Sequence, residues 1–428
     1  MQDYLDYIYP MVPVVHRPSF RKALREDQDS ENDSCFALMV SIAALVVATM
    51  PSRFQAYQSE ILSSRFSSRK EFVHFCYAKC VGMRTSSYFD ELGFQKFAVS
   101  MLSVEAMQIA RLLNLHRISE YEGLNLIETQ LRKKGFWLMF YSFVHAHLQN
   151  LLGERLTYLD PTLLCSINPE DLMPLDVEDE FIFEYEVLTP TSNKPCLVTG
   201  FILHSRVFWA AIRSLRPDPT MDEPCPCVRA KNPDMEVVYY QNRFHGLKSV
   251  IENIPPSLQQ AWTPNDEEIN SGDTSDAEGS MSPLQFSSIR ANLHVTHLWL
   301  QSLILDQLDA AQSHRQRQFA AGGLDQETAD LDQRALWMER ENICRQLFFI
   351  LFNFPPLSLD ANGLHLVNKV RDITASLLAC PFHPADPLSK QAAQYIQHST
   401  EILSRLDRSE GMNTMHLQTW VDTDRLWR

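Results

Sequence analysis

Cys76 and Cys80 stand four residues apart, the spacing at which one helix could turn two thiols toward a metal ion. Cys225 and Cys227 form a second close pair, in a proline-rich stretch that reads as a loop. Neither has a partner pair at zinc spacing, so both read as core or surface thiols. His145 and His147 lie two apart in a helical stretch, so they point to different sides and do not suit a joint metal site. "CPFHP", Cys380 to Pro384, holds the residue types of a thiol nucleophile and its base, but reads as a turn between helices. The phosphate loop, the serine elbow and the zinc-protease His pair are missing from the sequence. "DVEDE", Asp176 to Glu180, is acidic but lacks the helical setting that a carboxylate-using cyclase needs. The sequence therefore offers no catalytic residue and no metal ligand set, and a non-enzymatic chain is expected, with a small-molecule hydrolase or cyclase as the disfavoured alternative.

Two basic clusters remain. His16 and Arg17 interrupt "YLDYIYPMVPVVHRPSF", which packs four aromatics and three prolines into an otherwise apolar stretch. Tyr4, Tyr7, Ile8, Val12, Val14 and Val15 can bury such an arm, while Pro10 and Pro13 keep it from continuing as one helix. Pro18 suits the first turn of the following helix, "PSFRKALRE". His16 and Arg17 would then sit at a sharp bend, placed to bond carbonyls or acids. Arg132, Lys133 and Lys134 precede an apolar helix, where positive charge opposes the helix dipole. That mismatch hints at acidic neighbours.

These residues belong to a chain of 428 residues with 45% apolar and 21% charged residues, an ordinary folded composition. Its length suits one large or two medium domains. Thirteen glycines disfavour doubly wound nucleotide folds, and a net charge of −15 repels phosphate backbones. Nine scattered cysteines do not form a disulfide framework and suit a reducing interior. The N-terminus lacks the pattern of a secretory signal. The apolar runs Cys35 to Met50 and Gly135 to Leu148 fall short of the roughly 20 residues that cross a bilayer, so buried helices are expected and no membrane partner.

Helical periodicity dominates. "ENDSCFALMVSIAALVVATMP" has Asn32, Asp33 or Ser34 as cap and Pro51 as stop. "KFAVSMLSVEAMQIARLLNLHR" sets Met101, Val104, Ile109, Leu112 and Leu113 along one stripe. "ETQLRKKGFWLMFYSFVHAHLQNLLG" becomes apolar all round and meets Gly153, which suits the centre of a bundle. From Leu156 to Asn193 there are nine acids and no Lys or Arg. Within it, "DEFIFEYEV" reads as a short edge strand or an irregular acidic-aromatic surface segment, an ordered loop over helices being favoured over an activation segment. Residues 263–286 read as an acidic flexible linker or loop, separating an N-terminal helical part, 1–262, from a C-terminal one, 287–428, that packs on it. In the latter, "SSIRANLHVTHLWLQSLILDQLDAAQSHRQRQ" places Ser287 or Ser288 near its cap, and further helices end at Pro355 and Pro381. The expected fold is all-α, a large multi-helix bundle.

Taken in order, four pieces resemble the regulatory domain, or middle homology region, of fungal zinc-cluster transcription factors of the xylanolytic and galactose-activator type. They are the opening arm with Tyr7, Pro10, His16, Arg17, Pro18 and Phe20; the first core helix "FALMVSIAALVVAT"; "AMQIARLLNLHR" with Leu115, His116 and Arg117; and the basic-then-aromatic helix with Phe136 and Trp137 running to Gly153 and Arg155. The resemblance covers about residues 4–180. It departs at Gly153-Glu154-Arg155, where the family often has Gly-Arg-Pro. The six-cysteine zinc cluster of the family is not in this sequence.

The resemblance implies a nuclear regulatory module of RNA polymerase II transcription, of a metabolic pathway by the family's habit. DNA would be contacted by a zinc cluster outside this chain, so the chain itself is expected to hold no cofactor. Coregulators or the transcription machinery are the implied partners, with a small-molecule inducer and a homodimer as further possibilities. Trp137, Tyr141, His145 and His147 are the candidates for lining an effector pocket, with core packing the competing role for each. A domain-only cofactor that binds a DNA-bound partner is the alternative, and six cysteines at cluster spacing in an upstream reading frame would separate the two.

Overall fold

The arm cannot run straight into a helix, because its prolines lack amide donors and fix the backbone. Tyr4–Ile8 wind as one wide turn that closes when the Tyr9 amide donates to the Tyr4 carbonyl at 2.7 Å. The computed structural model describes residues 1–30, 32–60, 65–82, 105–149, 159, 161–189, 196–213, 226–229, 231–260, 283–319 and 326–406. In the arm, Tyr4, Leu5, Tyr7, Ile8, Tyr9 and Val15 are buried, whereas Val14, expected in the core, is 39% exposed. Extended backbone alternates its side chains, so with Pro13 and Val15 facing inward, Val14 faces out.

Helix α1 (Arg17–Arg25) follows extended His16, with Pro18 in its first turn. Helix α2 (Asp33–Thr49) is capped by Asn32, whose side-chain oxygen accepts from the Ser34 and Cys35 amides. It ends just ahead of Pro51 and packs against α4 (Arg69–Gly82), with α3 (Phe54–Glu60) between them in sequence. Val47, Phe54, Phe66, Phe72 and Cys76 form a buried cluster there.

Residues 105–112 are helical and end in a tight reversal. Asn114 takes the left-handed conformation (φ 46°), the Leu115 amide returns to the Ala110 carbonyl at 3.2 Å, and the Asn114 amide to Arg111 at 3.0 Å. This is the Schellman arrangement, which satisfies the last carbonyls of a helix. The apolar stripe read from the sequence does not face the core: Ile109, Leu112 and Leu113 are exposed, while Ala110 and Leu115 are buried. The reversal selects that other side, because it packs the residue after the turn against the last helical turn. Met101 and Val104 lie outside the described residues.

Helix α5 (Leu126–Gln149) starts with the Glu128 amide donating to the Asn125 side chain at 2.8 Å. Phe136, Trp137, Phe140 and Val144 are fully buried and share one face, while Leu138 and Met139 on the other side are half-buried and Ser142 is exposed, so the helix has a core face and an outer one. The acidic segment after it contains no strand among the described residues, only an isolated antiparallel bridge, Ile182 with Val187. Helix α6 (Leu197–Ile212) follows. Gly200 stands so close to Ile289 that a methyl group there would meet its Cγ1 at 2.6 Å.

Helices α7 (Pro233–Ser249), α8 (Pro283–Phe319), α9 (Gln326–Asn353), α10 (Gly363–Ser376) and α11 (Pro387–Leu406) make up the rest of the long elements. Among the described residues the fold is all-α. Helix α8 begins at Pro283, so Ser287 and Ser288 are buried within it and do not cap it. Proline supplies a helical φ and needs no donor in the first turn, which makes an upstream start favourable. Residues 283–286 of the acidic stretch are therefore helical, and 263–282 lie outside the described residues.

The chain divides into two compact units, neither continuous in sequence. The first combines Met1–Ser205 with Pro255–Arg290 and Pro356–Asn362. Within it, the Gln285 side chain donates to the Leu5 carbonyl at 3.0 Å, and Ser52 bonds Asp360. The second combines Arg206–Ile254, Ala291–Pro355 and Gly363–Arg428. There Arg340 pairs with Asp306 and, at 2.9 Å, with Asp309, while the Trp299 indole donates to Asp372 at 2.7 Å. Among the described residues no single helix is long and apolar enough to cross a membrane; Asp33–Thr49 and Pro51–Ser59 would pass only as a pair bent by 96°.

Candidate functional site

The first unit buries a charged hub. At its centre is Asp179, 1% exposed, on the acidic segment. Lys134 of α5 donates to Asp179 Oδ1 at 2.7 Å, and the Arg17 amide donates to Oδ2 at 3.0 Å. The Tyr9 hydroxyl also donates to Oδ2. Burial pushes this carboxyl up, but Lys134 and the other donors outweigh it, so Asp179 titrates below the usual carboxylate range. Burial and the Asp179 charge hold the Tyr9 phenol well above its ordinary value, so it stays a donor.

Arg17 extends the hub. Its guanidinium bonds Glu178 and, at 2.5 Å, Glu180, which in turn accepts from Arg21 at 3.1 Å. Burial pushes the Glu178 carboxyl up and the Arg17 charge opposes this. The other Glu178 oxygen accepts the Leu197 amide at 2.6 Å, where a carboxylate suits the start of α6. His16 Nε2 lies 2.9 Å from the Asp179 carbonyl and 3.1 Å from that of Ile182. Two acceptors there put the proton on Nε2, which leaves Nδ1 to accept from the Ser19 hydroxyl at 2.8 Å.

Helix α5 reads the backbone of the acidic segment from one stripe. Gln130 accepts the Leu175 amide at 2.7 Å, Lys133 donates to the Met173 carbonyl at 3.2 Å, and Trp137 donates to the Leu172 carbonyl at 2.9 Å. With Lys134 these positions are i, i+3, i+4 and i+7, one face of a helix. The Thr199 hydroxyl donates to Asp176 at 2.6 Å, and the Cys196 thiol beside it is pushed up to about 12, mainly by burial, so it stays protonated. The acidic segment is thus a clasp that joins the arm, α5 and α6. Its buried carboxylates already hold cations and amides, an arrangement suited to fixing chain segments.

The other flagged residues scatter around this clasp. Tyr7, Pro10 and Phe20 are buried and Pro18 is half-buried. Leu115 fills the turn after residues 105–112, and its carbonyl accepts from the Tyr121 hydroxyl at 2.6 Å. His116 is half-buried, with its pKa lowered by burial and then by Arg117, which is exposed. Phe136 packs edge-on to Trp137, with ring centroids 5.3 Å apart. Of the effector-pocket candidates, Trp137 is bonded as above, and Tyr141 shares a 2.6 Å hydrogen bond with Ser205 and lies edge-on to His204. His145 is half-buried. The His147 side chain, Gly153, Arg155 and Cys225 lie outside the described residues, as does the side chain of Cys227. Cys80 sits 3.3 Å from the Ser41 hydroxyl, and His383 accepts the Ala385 amide at 3.2 Å within its turn. Among the described residues no group of three His, Cys, Asp or Glu side chains is placed to hold a metal ion. Gln130, Tyr9 and the acids at 178–180 were not singled out from the sequence as one site. The spacing of Gln130, Lys133, Lys134 and Trp137 is the signal that could have found them.

The decisive comparison covers the arm itself. Residues 1–91 match the family model of the fungal specific transcription factor domain. The likeness is to that domain, over these residues alone. The match includes the arm, His16, Arg17 and α1 to α4, and it overlaps the resemblance read from residue 4 onward. The partners that the arm finds in the hub, Lys134 and the acids at 178–180, lie beyond the matched residues. The matched segment is thereby fastened to chain that the family model does not describe. No curated protein and no solved structure matches.

Proposed function

We propose that the chain is the non-enzymatic regulatory module of a nuclear fungal transcription factor that controls RNA polymerase II transcription. DNA would be contacted through a zinc cluster outside this chain, and the module would present surfaces to coregulators or the transcription machinery. The observation that carries this reading is the domain match over residues 1–91. The net charge of −15 supports it, because such a surface repels a phosphate backbone. The clasp gives the module its mechanism: it fixes the matched segment to α5 and α6 through buried ion pairs, so an effector that favours one packing over another would act by its differential affinity for the two. A small inducer and a second copy of the chain are the ligands this reading admits beside a coregulator.

The test is to tether the full chain to an unrelated DNA-binding module in a fungal reporter strain. Reporter output should rise or fall several-fold. Output equal to that of the DNA-binding module alone would overturn the reading. The purified chain should bind random duplex DNA weakly at low salt; tight, salt-sensitive binding would overturn the division of labour.

A further inference from the structure

We propose that the turn formed by residues 181–188 is a docking surface for a partner protein whose apolar groove is rimmed by lysine or arginine. The inference deepens the proposed function and rests on it. The backbone of this turn is closely tied. The Phe183 amide donates to the Glu186 carbonyl at 2.9 Å and the Leu188 amide to the Phe181 carbonyl at 2.9 Å. The Leu126 amide, at the start of α5, donates to the Glu184 carbonyl at 2.8 Å, and His16 holds the Ile182 carbonyl.

This rigid turn holds its large side chains in solvent. Phe183 is 45% exposed, Tyr185 86%, Val187 36% and Leu188 48%. A single exposed apolar residue is ordinary, but four within six residues of a fixed turn form a patch. Tyrosine and phenylalanine anchors on a pre-ordered backbone lose little freedom on binding, which favours them as contact residues.

Charge selects the occupant. The acids of the segment fall into two groups. Glu178, Asp179 and Glu180 are used by Arg17, Lys134 and Arg21 in the hub. Glu184 and Glu186 are exposed, and no ion pair reaches them among the described residues. They flank Tyr185 on both sides. Basic residues around an apolar groove complement that arrangement, whereas anionic lipid, nucleic acid or an acidic protein surface would be repelled.

The probe is a fluorescent amphipathic helical peptide made of leucine and lysine, titrated with the full chain and followed by anisotropy. The wild-type chain should bind it with an affinity that falls as salt rises, and should not bind a leucine–glutamate counterpart. Phe183→Ala/Tyr185→Ala should weaken binding about tenfold or more, the loss of a central anchor. Glu184→Gln/Glu186→Gln should weaken it several-fold and flatten its salt dependence. All four side chains are exposed, so circular dichroism should show an unchanged fold. Binding unaltered in both variants, equal binding of the leucine–glutamate peptide, or a concentration-dependent mass of the chain itself that the aromatic variant abolishes would each overturn the proposal, the last by making a second copy the occupant. The peptide result does not depend on transcription. In the tethered reporter, a response to the wild-type chain that the aromatic variant retains in full would sink this inference and leave the proposed function standing; no response to the wild-type chain would sink the function instead.

Discussion

Lys134 and Lys369 are both nearly sealed from solvent, at 2% and 4% exposed, yet the two units treat them in opposite ways. Lys134 meets a carboxylate, Asp179, at 2.7 Å. Lys369 donates to the Thr296 hydroxyl at 2.6 Å and the Asn292 side chain at 3.4 Å, and lies over the Trp299 ring, 5.8 Å from its centroid. Among the described residues no carboxylate pairs with it. Burial therefore lowers its pKa to about 7. The first lysine is a charge kept for the partner it holds in register; the second is a lysine whose charged form the fold resists. Burying a lysine thus has opposite consequences for stability depending on what its ammonium finds.

The largest effect should come from breaking the first arrangement on one side only. Asp179→Ala leaves Lys134 buried without its counter-charge and should cost about 3–5 kcal/mol of unfolding free energy, read by urea denaturation. Replacing both, as Lys134→Met/Asp179→Leu, should restore most of that loss. Equal destabilisation by the single and double variants would show that the pair contributes through net attraction and not through the penalty of an orphaned charge.

Next in size is Lys369→Met, which should stabilise the protein at pH 7 by about 1–3 kcal/mol, since it removes a group that the fold prefers neutral. The sign follows from linkage. The folded pKa lies below the unfolded one, so between pH 7 and 10.5 the unfolded chain binds more protons and wild-type stability rises with pH. The variant should lose that rise relative to wild type when the two are unfolded at pH 7 and at pH 10. Parallel curves would mean that Lys369 keeps its charge by a partner beyond Thr296 and Asn292.

Acid sharpens the comparison further. Asp179 titrates lower when folded than when unfolded, so its contribution is present above pH 3.8 and is lost as pH falls below that value. The double hub variant should be less acid-sensitive in that window than wild type. The smallest effect should be at the rim of the hub. Arg21 and Glu180 are partly exposed, at 31% and 22%, so Arg21→Ala should cost under about 1 kcal/mol. A cost as large as that of Asp179→Ala would mean that the clasp acts as one network and not as a core pair with a weak fringe.

Much of the fold was legible because helices are local. Asn32 as a cap, Pro51 as a stop and the aromatic core face of α5 depend on residues within a few turns of one another. The bonding needs of His16 and Arg17 were legible too, as was the hint from Lys133 and Lys134 that acids lay nearby. Which acids was not, because Arg17 and Glu178 are 161 residues apart and no local rule links them. The outward face of Ile109 and Leu112 was misread for a related reason: a stripe shows which residues share a side, and only the reversal at Asn114 shows which side is covered. The start of α8 at Pro283 was hidden by the acidic composition ahead of it.

The bond between Gln285 and the Leu5 carbonyl spans 280 residues. At the usual 5–20 residues per second of synthesis, the arm leaves the ribosome roughly 14–56 seconds before that partner is made. Through this interval Tyr4, Leu5 and Ile8 have only part of their cover. The arm of a nascent chain therefore lacks this partner for most of its own translation, and codon choices that slow the stretch between residues 182 and 285 would lengthen that interval more than the same delay placed after it.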